Sequence, residues 1–153
     1  MNGPGYEDRR WEHQVNEDQT QLEIELARVV DASVGAGWEA MRFEAWAIGS
    51  VMSYELFTLR DGVEEQSIPP MTVFTPLDEL KSAAAIPDRG TWLSLIMKLS
   101  SGGELTVDYN FDDKPQFDID ISTDDYELEL QLFPLAESSV PAWWRERIAR
   151  GDA

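Results

Sequence analysis

The segment 91–113, TWLSLIMKLSSGGELTVDYNFDD, restricts the possible folds more than any other stretch of this chain. Residues alternate in character along Trp92, Ser94, Ile96 and Lys98, and again from Leu105 through Tyr109. Between the two runs lies Ser100-Ser101-Gly102-Gly103. Alternation of period two on both sides of a Gly-rich turn predicts an antiparallel hairpin. The second strand runs into Asp108, Tyr109, Phe111, Asp112 and Asp113. A strand that ends in carboxylates projects negative charge from a rigid support, a surface suited to a basic partner.

The rest of the chain surrounds this hairpin with further elements. Residues 1–16 carry Gly, Pro and scattered charge and read as a flexible N-terminal arm, leaving 17–150 as a single domain. Over 18–36 a helix is expected, because Leu22, Leu26, Val29, Val30 and Val34 fall at helical spacing. Residues 38–60 are rich in aromatics and alternate around Gly49-Ser50, which predicts two strands followed by a turn at Asp61-Gly62. The segment 63–70 is polar, ends in Pro69-Pro70 and reads as an exposed loop. Thr75-Pro76 opens a helix with Thr as N-cap, running to about Ala85. Residues 114–122 form an acidic connection or a short strand. The run 126–133 alternates like a strand, but Ser122 and Thr123 as caps and acids in the first turn favour a helix. A last helix opens near Pro141. The expected fold is α+β: a twisted antiparallel sheet of about four to five strands with helices segregated around it.

Composition narrows the function classes. Thirty acids against twelve bases give a formal net charge of −18, a field that repels nucleic acid and anionic membrane and attracts basic proteins. The same charge also serves solubility alone. No apolar run approaches a membrane span, and the polar N-terminus lacks the apolar region of a signal peptide, so a cytoplasmic location is expected. The chain has no cysteine, which excludes thiol nucleophiles, thiolate metal sites and disulfides.

Catalytic constellations are sparse. His13 is the only histidine and lies in the expected arm, so no Ser has a histidine partner and no histidine pair suggests a metal. No phosphate-cradling glycine motif occurs. Ten acids and the single base Lys114 lie between Glu104 and Glu129, and such carboxylates in principle bind calcium or act as an acid/base pair. The mid-loop Gly and closing Glu of a calcium loop are absent. The expectation is a non-enzyme with no metal and no cofactor. Trp38, Trp46, Trp92, Phe43 and Phe57 read as core aromatics. Of the adjacent Trp143 and Trp144, helical geometry permits one to be buried while the other lies near the surface.

The hairpin spelling resembles the diagnostic segment of YezG-type immunity proteins, antitoxins of bacterial polymorphic toxin systems. In that family a Trp opens a strand, a Gly-containing turn follows, and the next strand closes on an Asp-Tyr-x-aromatic-acid-Asp spelling. The matching positions here are Trp92, Gly103, Asp108, Tyr109, Phe111, Asp112 and Asp113. The likeness extends more weakly to 123–126, Leu132-Phe133-Pro134 and Pro141-Ala142-Trp143, with Leu135 where a basic residue is common. The resemblance implies a small cytosolic α+β protein that binds and occludes a cognate toxin domain, often a nuclease.

On that basis the expected partner is a basic toxin surface, bound one-to-one by a monomer, with neither nucleic acid nor membrane as ligand. The candidate partner-binding residues are Asp108, Asp112, Asp113, Asp118, Asp120, Asp124 and Asp125, with Glu64, Glu65 and Gln66 as a second group. An acidic adaptor or chaperone-like module acting on another basic protein satisfies the same charge pattern.

Overall fold

The computed structural model describes the backbone of residues 4–152 and the side chains of residues 18–152. The fold is α+β, with, among the described residues, one five-stranded antiparallel sheet in the order β3-β2-β1-β4-β5 and four α-helices. The chain forms two compact units, Met1–Gly35 with Pro70–Ala84 and Ala36–Pro69 with Ala85–Ala153, a finer division than length alone suggests.

The first unit holds α1 (Pro4–Ser33) and α2 (Phe74–Ala83), which contact one another. Leu26 and Val30 of the expected apolar stripe are fully buried on α1. The helix begins at Pro4 rather than near Asp18, so 4–16 of the expected arm are helical. Proline is accepted in a first turn, where its missing N–H has no intrahelical acceptor. Residues 1–3, and the side chains of Trp11 and His13, lie outside the described residues. The second helix also starts earlier than expected. A 3-10 turn at Met71–Val73 leads into α2, whose N-cap is Val73 without a side-chain bond, so Thr75 lies inside the helix.

The second unit holds the sheet. Strands β1 (Ala40–Ile48) and β2 (Val51–Arg60) meet at Gly49-Ser50, and β4 (Ser94–Ser100) and β5 (Leu105–Asn110) form the hairpin expected from 91–113. The expected loop over 63–70 is instead mostly strand: β3 (Val63–Ser67) pairs with β2. Asp61 and Gly62 both adopt positive φ, the turn that folds a chain directly back on itself. Every β3 residue is exposed, so β3 lacks the alternation by which strands are recognised.

The register separates two faces of the sheet. Met41, Phe43, Ala45, Leu56, Leu95 and Met97 share one face and are buried. On the other face lie Arg42, Glu44, Trp46 and Ile48 of β1. Trp46 and Ile48 enter a core cluster with Leu93, Ile121, Tyr126 and Trp144. Tyr126 and Trp144 come from α3 (Thr123–Leu132) and α4 (Ala142–Arg150). The segment 126–133 is therefore mainly helical, started by Ser122, whose hydroxyl oxygen accepts from the Asp125 amide. Burial drives the arrangement: fully burying an aromatic side chain contributes about 2 kcal/mol. Trp144 is buried and Trp143 half-buried, while Phe57 is half-buried on the polar side of the sheet. Among the described residues no helix is long and apolar enough to cross a membrane.

Candidate functional site

Beyond Trp46 and Ile48, the same sheet face carries polar and charged side chains. The pairing places Glu55 opposite Glu44, and Asp108 opposite Ile96, itself opposite Glu44. One row across four strands thus reads Glu55, Glu44, Ile96, Asp108. Like charges directly opposite each other on neighbouring strands are unfavourable. Arg42 relieves part of this: its Nε donates to Glu44 at 2.6 Å and its Nη1 to Glu64 at 3.0 Å. The guanidinium carbon lies 4.2 Å from the centre of the Phe57 ring, a cation–π stack that fixes the head over the sheet. The bridge is partly exposed, so its net contribution is about 0.5 kcal/mol.

Two grooves flank this arrangement. One, of about 400 Å³, is lined by Arg42, Phe57, Leu59, Glu64, Lys98 and Glu104. The other, of about 320 Å³, is lined by Glu44, Trp46, Tyr54, Glu55, Ile96 and Asp118. Ile96 is 38% exposed, an apolar side chain set among carboxylates.

The structure disperses the ten residues expected from sequence. Glu64, Gln66 and Asp108 lie on this face, at opposite edges of the sheet, whereas Glu65 pairs with Thr58 and points to the other side of β3. Asp112 and Asp113 occupy the turn after β5. Asn110 Oδ1 accepts from both their amides, its Nδ2 donates to the Asp113 carbonyl and Ser94 Oγ, and Trp143 Nε1 donates to the Asp112 carbonyl at 2.7 Å. The turn backbone is therefore held while both carboxylates remain exposed. Asp118, Asp120 and Asp124 are exposed, and Asp120 lies 3.9 Å from Arg147.

Asp125 is occupied within the fold. Its Oδ1 accepts from the Ser50 amide at 2.8 Å and the Ser50 hydroxyl at 2.6 Å, and its Oδ2 accepts from Ser122 Oγ. Burial works against its ionisation, but these hydrogen bonds outweigh burial and hold its pKa below the ordinary carboxylate value. Glu129, buried on the same helix, accepts from the Gly49 amide at 2.9 Å. Both acids clasp the β1–β2 turn.

No protein-family model and no curated protein matches this chain. The resemblance to immunity proteins rests on the sequence segments quoted above, chiefly the hairpin.

Sequence reasoning missed Glu44, Glu55, Glu104, Arg42, Phe57 and Lys98. The available signal was parity in β1, where Ala40, Arg42 and Glu44 occupy the even positions while Met41, Phe43 and Ala45 occupy the odd ones. Among the described residues no group of three or more acids or histidines is placed to hold a metal ion. The face offers positioned negative charge around a stacked arginine, an arrangement that suits binding a cationic surface.

Proposed function

We propose that this protein is a cytoplasmic immunity protein that binds a cognate toxin domain one-to-one and occludes its active site without catalysing a reaction. The observation that carries the reading is the hairpin spelling that ends in Asp108, Asp112 and Asp113. Support comes from the −18 charge and from the carboxylates spread over one sheet face and its adjoining turn. A toxin acting on an anionic substrate presents basic residues around its cleft. Asp112 and Asp113, held on a fixed turn, with Glu44, Glu55 and Asp108 on the sheet, then compete for that cleft. Long-range attraction speeds the encounter and is screened by salt.

The test is co-expression with the C-terminal domain encoded by the neighbouring upstream gene. Cell survival with a co-purifying one-to-one complex is the expected result. A domain that is toxic alone, neither neutralised nor bound, removes the immunity reading and leaves an acidic adaptor for another basic protein. In the complex, the double variant Asp112→Lys/Asp113→Lys should slow association and flatten its dependence on salt. Association at the wild-type rate would exclude this turn from the interface.

A further inference from the structure

We propose that the cavity between the 114–121 connector and α4 binds a small monocarboxylate with an apolar body. The cavity measures about 460 Å³, within the range of small-molecule sites, roughly 300–1,000 Å³. Its wall carries Lys114, Arg147 and Arg150 together with Phe117, Ile119 and Tyr126. In a chain of thirty acids and twelve bases, three bases meeting at one cavity run against the overall composition. Lys114 is the single base between Glu104 and Glu129, and it lies here.

The three cations differ in how they are held. Arg147 is only 7% exposed. Its Nη atoms donate to the carbonyls of Ile121 and Gly151, to Thr123 Oγ1 and to Asp152 Oδ1. Its Nε is buried without a hydrogen-bond partner. The Arg147 charge is therefore fixed at the base of the site. Lys114 and Arg150 are exposed at its margin. Arg147 lies 5.6 Å from the centre of the Tyr126 ring, and burial raises the Tyr126 pKa against the opposing pull of Arg147 and Arg150. Tyr126 therefore stays protonated at neutral pH, with a hydroxyl able to donate.

Charge and shape select the ligand. Asp120 sits 3.9 Å from Arg147 with its side chain 88% exposed, beyond direct hydrogen-bond reach, so it is a counter-ion that a better acceptor displaces. With Asp120 and Asp152 set against the three bases, one positive charge remains in excess. A single negative charge balances the site, whereas a dianion adds repulsion in the field of a strongly acidic protein. A planar carboxylate matches the guanidinium fork of Arg150. Half-buried Phe117 and Ile119, 54% exposed, offer the apolar surface that the remainder of such a ligand covers.

Titration of the isotopically labelled chain with 3-phenylpropionate, followed by NMR, tests the site. The neutral 3-phenylpropionamide and inorganic phosphate serve as comparisons. Saturable shifts confined to 114–121, Tyr126 and 147–150 are expected, with the amide binding at least about tenfold more weakly. The double variant Lys114→Glu/Arg150→Glu should lose about tenfold or more in affinity, and Asp120→Asn should gain a few-fold, since it removes the resident counter-ion. All three positions are exposed, so the fold is retained, which circular dichroism verifies. No saturation at about 10 mM, equal binding of the amide, tighter binding of phosphate, or indifference to the double variant would each overturn the assignment. This outcome is independent of any toxin partner.

Discussion

Replacing Gly49 by alanine measures how closely α3 is applied to the β1–β2 turn. Gly49 has φ near +59°, and an L side chain in that region costs about 1 kcal/mol. A Cβ there would lie 2.4 Å from the Asp125 carbonyl oxygen and 2.7 Å from its Cα. Both are helix backbone atoms, so no rotamer change relieves the overlap, and the turn and α3 must separate. Separation weakens the bonds from the Gly49 amide to Glu129 and from the Ser50 amide and hydroxyl to Asp125, each worth about 0.5–1.5 kcal/mol. The expected loss is about 3 kcal/mol. Gly62→Ala supplies the control, with φ +75° and nothing within 4 Å of the added Cβ, so it should lose only about 1 kcal/mol. With a urea slope of about 2 kcal/mol per molar, the midpoints should fall by roughly 1.5 M for Gly49→Ala and 0.5 M for Gly62→Ala. Near-ultraviolet circular dichroism reports the tryptophan cluster of the same unit directly. Equal losses for the two variants would refute the close approach as the cause.

Glu55→Lys turns a like-charge cross-strand pair into an opposite one, so urea unfolding should show a gain of about 0.5 kcal/mol. A loss of stability would contradict the repulsion. Trp144→Ala empties the centre of the core cluster and should cost about 3–5 kcal/mol, and a loss under about 1 kcal/mol would mean the indole is not packed there. Hydrogen bonds from Arg147 and Thr123 hold the Asp152 carboxyl at about 2. The stabilisation by Asp152 is therefore complete above its ordinary pKa and lost as pH falls from about 4 to about 2. The thermal midpoints of wild type and Asp152→Asn should differ at neutral pH and converge across that window. A constant gap would place the effect elsewhere.

Legibility from sequence followed the range of the forces involved. Both hairpins and the start of α3 were readable because their signals are local: alternation around Gly49 and Gly102-Gly103, and Ser122 before two acids. Strand β3 was not, since neither of its faces is buried and its partner is specified by the turn before it. The start of α2 at Phe74 was missed because the chain enters through a 3-10 turn instead of the side-chain cap that Thr75 suggested.

The candidate face divides in the same way. Composition alone established that the surface is acidic, and the hairpin spelling placed two of its carboxylates, Asp112 and Asp113, at the end of a strand. Periodicity along a strand assigns residues to faces, but only the register between strands places Glu55 opposite Glu44 or brings Asp108 into their row. Asp125 reads in the sequence as one more exposed acid of a helix first turn. The fold gives its carboxylate to Ser50, 75 positions away, because the exposed amide of a tight turn needs an acceptor and α3 delivers one. The sequence by itself determined the amount of charge and its local carriers. Long-range pairing decided which of those charges remain free to meet another molecule.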